Sequence, residues 1–461
     1  MSKLGKFAAA CVVVLCAFGL QAAPERRVKM HVAGFTGYYE LENFPLLVRI
    51  SPERIEGFSY DDCAENGADI SFTLPDGTLL AHEVDTWNPQ GESVVWVSLP
   101  KFGQQASFYF RWKDAAPPAV DSTAVWTKAG YVGVWHLNEA GGDALDSSGN
   151  GCTATLCGAK ADQCVTCESD LGRGRQMGSS GTGANSIYFK MATVPQSVMS
   201  ATFAISLWVK TSTNSGDCWF SNKDPIADNG FSAVGNGFYN TAEFNVAGDG
   251  SSTTKILTRT STLVTDVWTP FELNWDGTAV GVRCGTSGGG RTTAMTPTQD
   301  GFAIGSTMDG SVNALRGQAD EIRLRTEIPT DNWRTVEEEQ VRTENYVIAD
   351  SAAEVIKAGV RVTSAAAEFS DGENPVYGEY EMTAGQSHAC TAPATVEAQD
   401  GAGTATCVGW TLSKVSDGSV VRTSESPAAG EDTMTCIVTY SEPMTLTWRW
   451  ATVQNPGRAI T

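Results

Sequence analysis

Histidine is scarce in this chain. Its four copies among 461 residues, His31, His82, His136 and His388, lie far apart in sequence. That spacing shows neither a zinc motif nor a Ser–His–Asp triad. His82, in a strand pattern, and His136, beside Trp135, read as hydrogen-bonded structural residues. No Gly-x-Ser-x-Gly elbow is read in the sequence. No Glu-x-Asp-x-x-Glu run is present to set a nucleophile and an acid about 5–5.5 Å apart, as a β-sandwich glycosidase requires. Past the first two dozen residues, no stretch approaches the ~20 apolar residues of a membrane-spanning helix. Basic residues are also few, 32 Lys+Arg against 53 Asp+Glu, for a formal net charge of −21. Nucleic acids and anionic membranes are recognised by Lys/Arg clusters, so this balance excludes both as expected partners. Helical periodicity is nearly missing. Short β-rich runs alternate with turn residues, the pattern of an all-β, multi-domain chain of sandwiches.

The first residues do carry a hydrophobic run. Lys3 and Lys6 precede apolar residues 7–20, and small residues follow at Ala22 and Ala23. This is the form of a secretory signal peptide over 1–23, with cleavage near Ala22 or Ala23. Leu15 before Cys16 is too bulky for a lipoprotein signal. The mature protein is expected to be exported: periplasmic, cell-surface or extracellular.

Cysteine is plentiful. Twelve are present, and without Cys11 and Cys16 of the leader ten remain. An even number in an exported chain points to disulfides. The densest cluster is Cys152, Cys157, Cys164 and Cys167, and Cys390 with Cys407 are further candidates. Cys164-x-x-Cys167 admits a metal reading, but no second Cys-x-x-Cys accompanies it.

Residues 24–118 read as a first sandwich. Its strands are NFPLLVRI (43–50), GADISFTL (67–74), HEVDTW (82–87), SVVWVSLP (93–100) and SFYFRW (107–112), with a Pro-Asp-Gly turn at 75–77. These runs resemble a bacterial envelope domain of unknown function. That domain is found ahead of biopolymer-transport proton-channel segments of the MotA/TolQ/ExbB type. The channel part is missing here, so the resemblance implies fold and no transport role. Residues 119–123 continue a Pro-rich linker that starts at Ala115.

Residues 124–345 read as a second sandwich. It opens with YVGVWHLNEAGGDALDSSGNG (131–151), an alternating strand followed by a turn-forming loop. Then come ATFAISLWVK (201–210), a strand ending WDG (275–277), GFAIG (301–305) and GQADEIRLR (317–325). In this order the pieces resemble a laminin-G-like, concanavalin A-like jelly roll. Thr330 is placed to cap a helix running to about 345. Gly288, Gly289 and Gly290 open no helix and read as a flexible loop, not a phosphate cradle.

Residues 346–461 resemble an immunoglobulin-like repeat of large exported bacterial proteins. Trp448 and Trp450 share one strand face, as core side chains or as a sugar platform. Residues 452–461 read as a frayed tail.

The laminin-G-like resemblance implies a calcium (Ca2+) site from an early acidic turn and a closing strand, which falls on Asp146, Asn150 and Asp320. The alternative is that Asp146 forms an Asx turn and Asp320 caps a strand. Asp320 and Glu321 are adjacent, so they face opposite sides of a strand and cannot act as a catalytic pair. Trp219 and Phe220, in the 217–228 insertion, are candidates for stacking on sugar rings, or else core. The expected protein is a non-catalytic recognition or adhesion module for a glycan or an envelope or extracellular protein. A structural spacer of the envelope and a polysaccharide hydrolase are the alternatives.

Overall fold

A computed structural model describes residues 26–452. Excepted are 76, 114–116, 179–186, 213–217, 223–229, 237–240, 248–252, 259–263, 286, 293–300, 311–314, 356–358, 365–377, 382–386, 398–403, 415–417, 425–432 and 440–443. The leader 1–23 and the tail 453–461 lie outside the described residues. The chain is all-β and multi-domain, and it divides into two compact units, Arg26–Val355 and a second from Ile356 onward.

In the first unit, six strands of the amino-terminal sequence form a small sandwich. Strands Arg26–Val32, Ser107–Trp112 and Ser71–Thr73 lie in one sheet, and Leu41–Ile50, Ser93–Phe102 and His82–Thr86 form the other. Leu41–Ile50 lies at an edge of its sheet, where Pro45 costs no ladder hydrogen bond. Val347–Ala349 and Glu354–Val355 pair with Arg26–Val32. The end of this unit therefore returns to its beginning, using residues that the sequence places at the start of the last module.

The larger sandwich follows. One sheet runs in the order Ser287–Thr292, Ala279–Cys284, Thr269–Trp275, Phe203–Thr211, Gly317–Arg325, Gly172–Gly178, Thr166–Ser169, with Tyr131–Trp135 also paired to Gly317–Arg325. The other holds Thr253–Thr258, Thr241–Ala247, Gly230–Asn236, Cys218–Ser221, Ala303–Ile304, Tyr188–Lys190 and Thr155–Cys157. Trp135, Phe203, Phe231, Phe271 and Phe302 fill the space between the sheets. The glycine run at 288–290 is strand, paired with Ala279–Cys284, and not the expected loop. Gly285, Ser287 and Gly289 match Gly-x-Ser-x-Gly, yet Ser287 begins a strand, so no nucleophile elbow forms.

A second core joins the two sandwiches. Trp96 and Phe44 of the first pack with Trp126, Tyr131, Val134, Trp208, Trp333 and Val336. Strand Tyr131–Trp135 is thus covered on both faces, Trp135 in one core and Val134 in the other. The helix Asp331–Arg342 is capped by Thr330, whose Oγ1 accepts from Trp333 N at 3.2 Å. Its Gln340 receives Leu47 N at 2.9 Å, which pins the helix to the edge strand.

The second unit is a smaller sandwich. Gly378–Glu381, Gly359–Ser364, Met444–Thr452, Thr404–Lys414 and Thr395–Glu397 form one sheet, with Val420–Ser424 paired to Thr404–Lys414. Ser387–Pro393 and Thr433–Thr439 form a two-stranded sheet. Trp448 and Trp450 are fully buried, so they are core and not a sugar platform.

Candidate functional site

The expected calcium ligands are not gathered into one site. Asp146 Oδ1 accepts from Val134 N at 3.1 Å and Ser148 N at 2.9 Å, and its Oδ2 accepts from Cys152 N at 3.0 Å. Oδ1 therefore fastens the loop to the strand before it, and Oδ2 closes the loop onto Cys152. Asn150 Nδ2 donates to Val132 O at 3.1 Å. Asp320 is buried in mid-strand, where its Oδ1 accepts from Glu321 N at 2.7 Å and its side chain occupies space that Gly174 leaves by having no Cβ. Trp219 and Phe220 are fully buried in the jelly-roll core, against Phe271 at ring distances of 4.6 and 5.3 Å. They cannot present a face to a sugar. Of the cysteines singled out, Cys152, Cys164, Cys390 and Cys407 are buried, and Cys157 and Cys167 are partly exposed.

A different set of ionisable groups meets at the seam between the sandwiches. Among the described residues, the His, Cys, Asp and Glu side chains close enough to share an ion are Asp85, His136 and Glu321. Three chain segments bring them there. Strand His82–Thr86 shifts register between Val84 and Thr86, and both its Glu83 and its Asp85 reach His136. His136 follows strand Tyr131–Trp135, just before Leu137 at φ 58°. Glu321 sits at φ 48° in a bulge, because one residue, Leu207, lies opposite two, Glu321 and Ile322. A bulge re-aims a side chain at the cost of local backbone strain. Here it turns the Glu321 carboxylate onto His136.

His136 Nδ1 bonds Glu321 Oε1 and lies 3.4 Å from Asp85 Oδ2, while Nε2 lies 3.4 Å from Glu83 Oε2. Arg323 reaches Glu321 Oε2 through Nε at 2.9 Å and Nη2 at 2.7 Å, and its Nη1 reaches Glu337 at 3.3 Å. The guanidinium lies over the rings of Trp96 and Trp126, 4.4 and 4.8 Å from their centroids. Trp96 Nε1 donates to Asp85 Oδ2 at 3.1 Å, Asn138 donates to Asp85 Oδ1 at 3.0 Å, and Trp126 Nε1 donates to Glu83.

The titrations follow from this packing. Burial works against charge on His136, but Glu321, Asp85 and Glu83 outweigh it and hold the imidazolium well above the usual histidine range. Burial opposes ionisation of Glu321 as well, yet His136 and Arg323 bring its carboxyl down to about 2. Asp85 moves the other way. Burial, with Glu321 beside it, pushes it up to about 7 against the pull of His136. Burial, then Glu321 and Asp85, also raise Asp320 well above the carboxylate range.

This set fits a resident metal poorly. A protonated imidazole has no lone pair to give, and Arg323 already supplies the cation that Glu321 faces. The adjoining cavity, lined by Trp96, Trp208, Glu272, Arg323 and Arg334 among others, holds about 60 Å³, the scale of a few waters. The arrangement is a buried ion-pair lock between two sandwiches.

An open surface lies elsewhere on the amino-terminal sandwich. Tyr38 is 97% exposed, beside a cleft of about 400 Å³ lined also by Glu40, Lys101, Gln104 and Gln105. The loop beneath it is pinned. Ala33 N and Gly34 N donate to Tyr346 O at 2.9 and 3.1 Å, Phe35 packs edge-on to Phe102, and Gln104 Nε2 donates to Thr36 O at 3.3 Å. The sequence reading did not single out Tyr38. Its only signal was an aromatic in a polar turn.

No protein-family model matches this chain, and no curated protein matches its sequence. Among solved structures, domain 4 of the extracellular arabinanase AbnA of Geobacillus stearothermophilus, solved with arabinotriose, is 18% identical. The match covers 46% of this chain and 98% of that one, at a TM-score of 0.33. The binding domain of botulinum neurotoxin DC, solved with rat synaptotagmin II, is 12% identical over 47% of this chain, at a TM-score of 0.36. This chain spans about half of that domain, 53%. The Ruminococcus gnavus IT-sialidase CBM40 is 13% identical over 37% of this chain and 99% of its own length, at a TM-score of 0.30. At TM-scores this low the likenesses decide neither ligand nor mechanism.

Proposed function

We propose that this chain is an exported, non-catalytic recognition protein whose ligand is a glycan, bound at the amino-terminal sandwich beside Tyr38. The exposed tyrosine on its pinned loop carries this reading. Its ring offers a flat apolar face held in water, and Gln104, Gln105, Glu40 and Lys101 offer donors and acceptors around it. A flat apolar face with a few convergent polar groups suits a hydroxyl-rich ring. The resemblance of the larger sandwich to laminin-G-like domains agrees with a recognition role, but burial of Trp219 and Phe220 moves the proposed surface away from them. The ionisable groups of the seam act as structure, since their charges are matched by one another. Export rests on the leader read from sequence, and among the described residues no helix is long and apolar enough to cross a membrane.

Screening the full-length protein on an array of neutral and acidic glycans tests this. Saccharide-dependent binding is the expected result, and a blank array would leave a protein ligand in its place. A second reading, a structural spacer, is favoured by the shared core that makes one compact unit of two sandwiches. It predicts co-sedimentation with envelope fractions and no soluble ligand.

A further inference from the structure

We propose that Cys390 and Cys436 form a disulfide that staples the two-stranded sheet of the carboxy-terminal unit. Strands Ser387–Pro393 and Thr433–Thr439 run antiparallel, with Cys390 directly opposite Cys436. Both cysteines are buried, while Ala389, Thr391 and Ile437 beside them are exposed. The two side chains therefore leave the same, inner face of the sheet. Directly opposed residues of an antiparallel pair lie about 4.5–5.5 Å apart at Cα. A disulfide requires about 4.4–6.8 Å, so the bridge closes without a shift of either strand. Cys407, the nearer cysteine in sequence, lies in the other sheet opposite Trp450, and its thiol is directed to Gly409 O at 3.7 Å.

The chemistry needs an oxidant, here a small-molecule or protein disulfide encountered outside the cytosol. Arg422 Nη2 lies 3.6 Å from Cys436 Sγ and favours its thiolate against the burial that disfavours it. The Cys436 thiolate attacks one sulfur of the oxidant and expels the first thiol. Cys390 then loses its proton, attacks the Cys436 sulfur of the mixed disulfide and expels the second. Two protein thiols become one disulfide, and the oxidant's disulfide becomes two thiols. A two-stranded sheet is marginal alone, so a bridge that also closes the long intervening segment stabilises it.

This inference stands apart from the glycan reading, and its test reads connectivity directly. The full-length chain is equilibrated in a reduced/oxidised glutathione buffer, alkylated, and digested without reduction. Cleavage after Glu397 separates Cys390 from Cys407, and cleavage after Lys414 separates Cys407 from Cys436. The expected map shows Cys390 linked to Cys436 and Cys407 alkylated. The oxidised protein should melt in this unit roughly 8 °C or more above the reduced one. Cys407→Ser should keep the link and the shift. A link from Cys407 to either partner, or recovery of Cys390 and Cys436 both alkylated, would overturn the assignment.

Discussion

His136 and Glu321, 185 residues apart in sequence, meet as an ion pair sealed between two sandwiches. Glu321 is held in turn by two hydrogen bonds from Arg323. Both residues belong to the larger sandwich, and His136 carries the contact across the seam, 3.4 Å from Glu83 and from Asp85 of the amino-terminal one. Two apolar surfaces supply the adhesion, and the ion pair with Asp85 and Glu83 sets their register.

Removing His136 should therefore cost more than a surface change. Breaking a buried ion pair from one side leaves the other charge uncompensated, at about 3–5 kcal/mol. His136→Gln is expected to lower the urea-unfolding free energy of the Arg26–Val355 unit by that amount. A loss under about 1 kcal/mol, the range of exposed pairs, would contradict the lock.

Stability should also depend on pH in a definite direction. Asp85 is raised to about 7, so between its unfolded value near 3.8 and 7 the folded state binds the extra proton, and stability falls as pH rises. His136 adds stability that is complete below 6.5 and is lost as pH rises through its folded value. Glu321, lowered to about 2, adds stability present above 4.5 and lost as pH falls toward 2. Maximum stability of this unit is expected at about pH 4. His136→Gln should flatten the decline above pH 6.5, and urea titrations across pH 3–9 measure both.

Much of this architecture could be read from residue patterns. The strand over 317–325, the Thr330 cap and the strand over 107–112 all follow local rules, and the structure has them in place. The seam cluster could not be read that way. Asp85, His136 and Glu321 lie on three separate segments, and Glu321 reaches its partner only through a positive-φ bulge that no propensity announces. Adjacency suggested opposite faces for Asp320 and Glu321. Both are buried, because both faces of that strand are covered. Trp219 and Phe220 were ambiguous for a simpler reason: an aromatic pair beside a polar insertion looks alike as rim or as core.

Asp146 gives a third expectation. Its carboxylate serves three backbone N–H groups, and charge-assisted hydrogen bonds contribute about 1.5–3 kcal/mol each. Asp146→Ala should destabilise the Arg26–Val355 unit by about 2–4 kcal/mol after local relaxation and solvation of the freed groups. Millimolar calcium should leave the wild-type melting temperature unchanged. A calcium-dependent rise lost in Asp146→Ala would return the residue to a ligand role.

Recognition at Tyr38 is tested most directly by titrating the full-length protein and Tyr38→Ala with whichever glycan the array selects. Tyr38 is nearly free of packing, so the variant should unfold at the same denaturant concentration as wild type. Stacking on an aromatic contributes about 0.5–1.5 kcal/mol beyond area burial, so affinity should fall at least about tenfold in Tyr38→Ala. Tyr38→Trp should retain it. Undiminished binding by a folded Tyr38→Ala protein would contradict the account.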